Sequence, residues 1–195
     1  MKSKCQFLVL AMIGWALTVS AQGGYEIKVN EFKIDGSSNV HNWESSVSKV
    51  NGKGELVVEN NVLKSIKNLN VTIPVKGIKS SKGSIMDNKT YDALKEDKNP
   101  NITYQLIKVT GIEKKGDGYE VNTQGTLTIA GASRTVDITV TGKPGVGGSW
   151  QFTGSKKLKM TDFKINPPTA LMGTMKTGDD ITVSFNISLL KEDKI

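Results

Sequence analysis

The chain has 195 residues, one cysteine and one histidine, with 26 Lys+Arg against 19 Asp+Glu and a formal net charge of +7. The basic excess is carried by lysines scattered among carboxylates, with Arg134 the single arginine. That is a solvated surface rather than a nucleic-acid groove, which favours clustered Arg and exposed aromatics; attraction to an anionic surface fits the same excess.

The amino terminus predicts export. Lys2 and Lys4 form a positive region, Phe7 to Leu17 an apolar one, and Val19-Ser20-Ala21 a small-residue cleavage site. The apolar run is short for a membrane span. The expected organisation is a signal peptide over 1–21, removed, and one domain over 22–195, periplasmic or secreted. Cys5 precedes the apolar run, so the mature chain has no thiol for disulfides, metal or catalysis.

Strand signals follow in order. Tyr25 to Ile34 alternates through Ile27, Val29, Phe32 and Ile34, with a bulge expected at Asn30-Glu31. Val40 to Val50 reads as a second strand, Asn51-Gly52 as a hairpin turn, and Gly54 to Glu59 as a third strand ending at Asn60-Asn61. Leu69, Val71, Ile73 and Val75 share one face of a fourth. In Ser84 to Lys95, Met86, Thr90, Ala93 and Leu94 fall on one helical face. Ser84 and Asp87 are placed as a capping box, and Asn99-Pro100 ends the segment.

Ile102, Tyr104 and Leu106 alternate next, and a turn is expected over 114–118. The stretch GTLTIAGASRTVDITV then places Leu127 and Ile129 on one side of a small turn and Val136, Ile138 and Val140 on the other. This predicts an antiparallel hairpin with one buried face, within strands Tyr119 to Ile129 and Thr135 to Thr141. Gly145 to Gly148 reads as a turn and Trp150 to Lys159 as a strand. Pro167 to Lys176 reads as one apolar helical turn carrying Leu171, Met172 and Met175, with Gly178 as its exit. Ile181, Val183, Phe185, Ile187 and Leu189 close the chain at strict period two. The fold class is all-β, a sandwich or a closed up-and-down barrel.

Chemistry is sparse. His41 could act as base only toward Ser37 or Ser38, and neither an orienting carboxylate nor a nucleophile-elbow pattern accompanies it. The reading favoured is a histidine hydrogen-bonded in a loop beside Trp43. Asp179-Asp180 and Glu96-Asp97 lack calcium-loop spacing, and Gly145 to Gly148 precedes a strand, so it is no phosphate cradle. What remains is an apolar set facing inward: Val71, Ile73, Ile102, Tyr104, Leu127, Ile129, Val136, Ile138, Val140, Phe185 and Ile187, with Leu171, Met172 and Met175 as lids. Pattern alone favours a filled core, the commoner use of such residues, since a small barrel can be filled by its own side chains, and it does not distinguish that from a hollow barrel.

Four ordered blocks resemble the YceI-like family of exported, lipocalin-like proteins: Phe32-Lys33-Ile34-Asp35, MDNKTYDALKEDKNPNITY, GTLTIAGASRTVDITV and TDFKINPPTALMGTMKTGDDITVSFNISL. The resemblance implies an extended antiparallel eight-stranded barrel with one or two short helices. It also implies a non-catalytic interior for a long amphiphile: a polyisoprenoid, an isoprenoid quinone or a fatty-acid derivative. The head group would lie near the mouth, met by Trp43, Tyr104 or lysines. No cofactor is implied beyond such a bound lipid or quinone; the partners are the lipid, a membrane surface touched transiently, and a second copy in a homodimer. His41-Asn42-Trp43 and Pro167-Pro168 depart from the better-known members and mark a divergent branch. The alternative is a structural or stress-response barrel with a solid core and no ligand.

Overall fold

The computed structural model describes residues 21–60, 62–170 and 173–191. Residues 1–20 of the predicted signal peptide, as well as Leu171 and Met172, lie outside the described residues. The elements in order are β1 (Ala21–Ser38), β2 (Asn42–Val47), β3 (Asn51–Glu59), β4 (Val62–Pro74), β5 (Ile78–Ser80), α1 (Ser84–Ala93), β6 (Asn101–Lys115), β7 (Gly118–Ile129), β8 (Ala132–Pro144), β9 (Trp150–Lys159), β10 (Thr169–Ala170) and β11 (Met175–Lys191).

Eight strands close an antiparallel barrel in the order β1-β3-β4-β6-β7-β8-β9-β11, and β11 returns to β1 from Tyr25↔Lys191 to Ser38↔Thr177. Closure pairs the backbone groups that a free sheet edge would expose. The expected bulge in β1 is present, with the register shifting between Val29 and Glu31. One edge of β1 divides there. Its first part, Ala21 to Glu26, pairs with β3, and its last part, Lys33 to Ser37, pairs with β2, which carries β5 as a flap. Val47, Val50 and Ile78 fill the fork, with Phe32, Val71 and Ile73 packed against them.

The turn between β7 and β8 is Ala130-Gly131, both at positive φ (50° and 80°), which matches the right-handed twist of the two strands it joins. Three sequence readings need correction. Asn51-Gly52 is not a hairpin turn but the start of β3, paired with Thr72 and Val71, because β2 and β3 both attach to β1 and not to each other. Gly52 serves a close approach instead: a Cβ there would lie 2.5 Å from Ile27 Cδ1 and 2.7 Å from the Asn70 carbonyl oxygen. Met175, expected in an apolar helical turn, opens β11 opposite Ala170, and Gly178, expected as the exit of that turn, lies inside the strand.

The predicted helix forms, but Ser84 and Asp87 make no capping box. Gly83 precedes the helix without a side-chain cap, and Asp87 reaches back to accept the Ser80 N–H at 2.7 Å and to pair with Lys79 at 3.3 Å. Tyr91 adds a second clamp: Lys79 donates to its hydroxyl at 2.7 Å, and that hydroxyl lies 3.1 Å from the carbonyls of Lys76 and Ile78. The bond to the Tyr91 hydroxyl, and after it the pairing with Asp87, hold the Lys79 ammonium above the usual lysine range.

Candidate functional site

The packed interior is three clusters instead of one. At one end Tyr25, Leu56, Leu63, Ile66, Tyr119, Val121, Trp150, Phe152 and Leu189 form a closed floor, all at most 6 % exposed. The Tyr119 and Trp150 rings are 5.7 Å apart, and those of Trp150 and Phe152 6.2 Å. Toward the other end Ile129, Ala130, Ala132, Met160, Phe163 and Ile165 make a second cluster, and the fork of β1 holds the third.

Between them lies a cavity of about 420 Å³, within the ordinary range of small-molecule sites. Its wall is overwhelmingly apolar, and alternation explains why: inward positions of β4, β6, β7, β8 and β11 supply Val71, Ile73, Ile102, Tyr104, Leu127, Ile129, Ile138, Val140, Phe185 and Ile187. Trp43 joins them from β2 together with Ser45 and Val47. Val136 has the same parity as Ile138 and is half-buried, yet does not line the cavity; the Tyr104 ring lies over Gly125, its cross-strand partner. The α1 face Met86, Lys89, Thr90, Ala93 and Leu94 roofs the mouth at helical spacing, and Met175 lies in the lining as well.

The lumen stays open because its rings lie flat. A Cβ on Gly36 would be 2.2 Å from the Trp43 ring, on Gly125 2.4 Å from Tyr104, on Gly142 2.5 Å from Phe152, and on Gly154 2.6 Å from Phe185. Gly36–Trp43, Gly142–Phe152 and Gly154–Phe185 are direct cross-strand partners. An aromatic laid over a neighbouring glycine fills the wall rather than the space in front of it. Period-two reading misses this, although the alternation of glycine with aromatics was in the sequence.

Polar groups are few and ordered. The Trp43 indole N–H donates to the Ser37 carbonyl at 3.0 Å. Tyr104 does not reach the mouth: its hydroxyl is 3.3 Å from Thr123 Oγ1, which donates to the Ile138 carbonyl at 2.8 Å. Burial pushes the Tyr104 phenol above the ordinary tyrosine range. His41 is exposed and lines the rim. The loop is fastened by Ser38, whose hydroxyl donates to the His41 carbonyl at 2.8 Å and accepts the His41 N–H at 3.1 Å. The imidazole is therefore not what holds the loop, and the Ser38 proton is committed to a backbone oxygen.

Every charged side chain of the described lining is a lysine: Lys82, Lys89, Lys156 and Lys159. Lys89 donates to the Thr169 carbonyl at 3.2 Å, and Lys159 pairs with Asp180 at 3.1 Å. Sequence reading picked out none of the four individually.

A barrel floored by aromatics, open at the helix end and apolar within defines a lipocalin-like class of hollow β-barrel. A YceI-like domain pattern matches residues 18–189, and the chain belongs to that family. No curated protein matches it. Among solved structures it is similar to Burkholderia cenocepacia BcnA, at 18% identity over 83% of this chain and 99% of that one, with a TM-score of 0.61. A polyisoprenoid binding domain from Saccharophagus degradans, implicated in plant cell wall breakdown, shares 10% identity over 86% of this chain and 98% of that one, with a TM-score of 0.65. The Campylobacter jejuni YCEI protein shares 20% over the whole of both chains, with a TM-score of 0.53. At these identities the likeness establishes the fold.

Proposed function

We propose that the protein is an exported, non-catalytic carrier that sequesters the hydrocarbon chain of an amphiphilic lipid inside the barrel. The ligand class is a polyisoprenoid, an isoprenoid quinone or a fatty-acid derivative. The observation that carries this reading is the apolar cavity of about 420 Å³ between the aromatic floor and the roof of α1. Each methylene moved from water into such a wall contributes about 0.8 kcal/mol. The polyisoprenoid-binding relative supports a lipid over other apolar ligands. The amino-terminal Lys2, Lys4 and Phe7 to Leu17 pattern supports periplasmic or secreted placement.

The test is recovery of the protein from an exporting host, native mass spectrometry of the purified material, and lipid extraction. A stoichiometric adduct of a long-chain amphiphile is expected. Delipidated protein should gain about 2.7 kcal/mol of stability when that lipid is returned at a hundredfold its Kd. Recovery without any adduct, together with a melting temperature indifferent to every long-chain amphiphile offered, would refute the carrier reading.

A further inference from the structure

Lys156 stands where the barrel wall is otherwise apolar. The inward positions of β9 run Phe152, Gly154, Lys156 and Leu158, alternating with exposed Thr153, Ser155, Lys157 and Lys159. Lys156 is half-buried, lines the cavity, and has no hydrogen-bond or ion-pair partner among the described residues. Its partner on β11 is Val183. On the other side the β8–β9 ladder ends at Val140↔Gly154, one inward step before Lys156. The next inward residue of β8 is Ile138, whose own partner is Thr123, the residue joined to the Tyr104 hydroxyl. The lining carries the Tyr104 and Thr123 hydroxyls, and no carboxylate in the described lining answers the Lys156 ammonium.

An ammonium on an apolar wall with no acceptor beside it relies on water for its hydrogen bonds, and losing that water without a replacement costs free energy. A neutral ligand would add to that cost by displacing water from the lumen, whereas an acidic head would supply the missing acceptor. We infer that the amphiphile carries an anionic head, a carboxylate or a phosphate ester, to which Lys156 donates inside the barrel. Lys82, which also has no ion pair among the described residues, adds positive potential at the mouth. This rests on the carrier reading above and narrows it: a quinone or a free prenyl alcohol would leave Lys156 unanswered.

The experiment uses delipidated full-length mature protein and pairs of probes that share a tail. Hexadecanoic acid is compared with hexadecan-1-ol, and farnesyl monophosphate with farnesol, by tryptophan fluorescence titration and native mass spectrometry. In at least one pair the acidic member should bind about tenfold tighter or more, the scale of one hydrogen bond to a charged group. The pair with the larger ratio distinguishes carboxylate from phosphate. Lys156→Met should abolish the preference, bringing the affinities for the acid and the alcohol of a pair together. Lys156→Arg should keep the preference and Lys156→Gln lose it, a comparison that holds if the methionine variant does not fold. Equal binding of acid and alcohol in both pairs, or an undiminished preference in folded Lys156→Met or Lys156→Gln, overturns the inference while the carrier reading stands. Binding of no member of either pair would count against the carrier reading itself.

Discussion

Gly36→Ala tests the idea that glycine sets the width of the lumen. A Cβ at this position would fall 2.2 Å from Cζ2 of Trp43 and 2.5 Å from Cε2. To regain an ordinary contact of 3.4 Å the ring must retreat by 3.4 − 2.2, or about 1.2 Å. It can move only by tilting off the wall, which breaks its N–H bond to the Ser37 carbonyl, 3.0 Å long. Overpacking of this kind costs about 1–3 kcal/mol, and a neutral hydrogen bond contributes about 1. The expected loss is therefore about 2–4 kcal/mol, or about 4–16 °C in Tm for a domain of this size. Circular dichroism melting reads the stability and tryptophan emission the ring. The double variant Gly36→Ala/Trp43→Leu separates the two effects: with the ring gone the added methyl should cost little, so the cycle should show a coupling above about 1 kcal/mol. If Gly36→Ala melts and emits like wild type, or if the two changes simply add, the ring does not depend on the glycine and the account fails.

Affinity should climb about fourfold per added methylene across a saturated fatty-acid series and then level off when the tail reaches the floor of Tyr119, Trp150 and Phe152; a calorimetric series that never levels off would place the end of the cavity elsewhere. Tyr104 should be among the last tyrosines to ionise in an ultraviolet alkaline titration, because burial raises its folded pKa. The raised value means the folded state holds its proton longer than the unfolded one, so the stability it lends is complete below the unfolded tyrosine pKa and lost as pH rises through the folded one. Tyr104→Phe should therefore flatten the alkaline fall in Tm and leave neutral pH little changed. Gly131→Val should lower Tm by several degrees, since Gly131 sits at φ 80° and a Cβ there would meet Asn99 Oδ1 at 2.9 Å; an unchanged melt would contradict the turn geometry.

Much of the barrel was legible because each wall strand has one wet and one dry face. The strand from Trp150 to Lys159 has the predicted limits, and the GTLTIAGASRTVDITV hairpin forms as read. What failed to show locally was decided by distant partners. Asn51-Gly52 looks like a turn until Ile27 is known to press on Gly52, and Asp87 looks like a cap residue until β5 presents the Ser80 N–H. Met175 has helical spacing from Leu171 in the sequence, but its pairing with Ala170 in the short β10–β11 ladder makes it the first residue of β11. At the site, apolar parity pointed to the cavity wall, but Tyr104 lies deeper than a mouth residue because its ring needs Gly125 on the adjoining strand. Lys156 was readable by parity between Gly154 and Leu158, though only a known inward face makes a lysine there informative.

The sealed aromatic floor has a consequence for traffic. For the proposed carrier, a barrel closed at one end is a cul-de-sac: a lipid that entered tail-first past α1 would leave head-first by the same way. Loading and unloading then share one barrier, and the route itself imposes no direction. Net transfer between two membranes would be set by the relative hold of donor, barrel and acceptor on the lipid. A mutation that eases entry without changing binding strength would ease departure in equal measure.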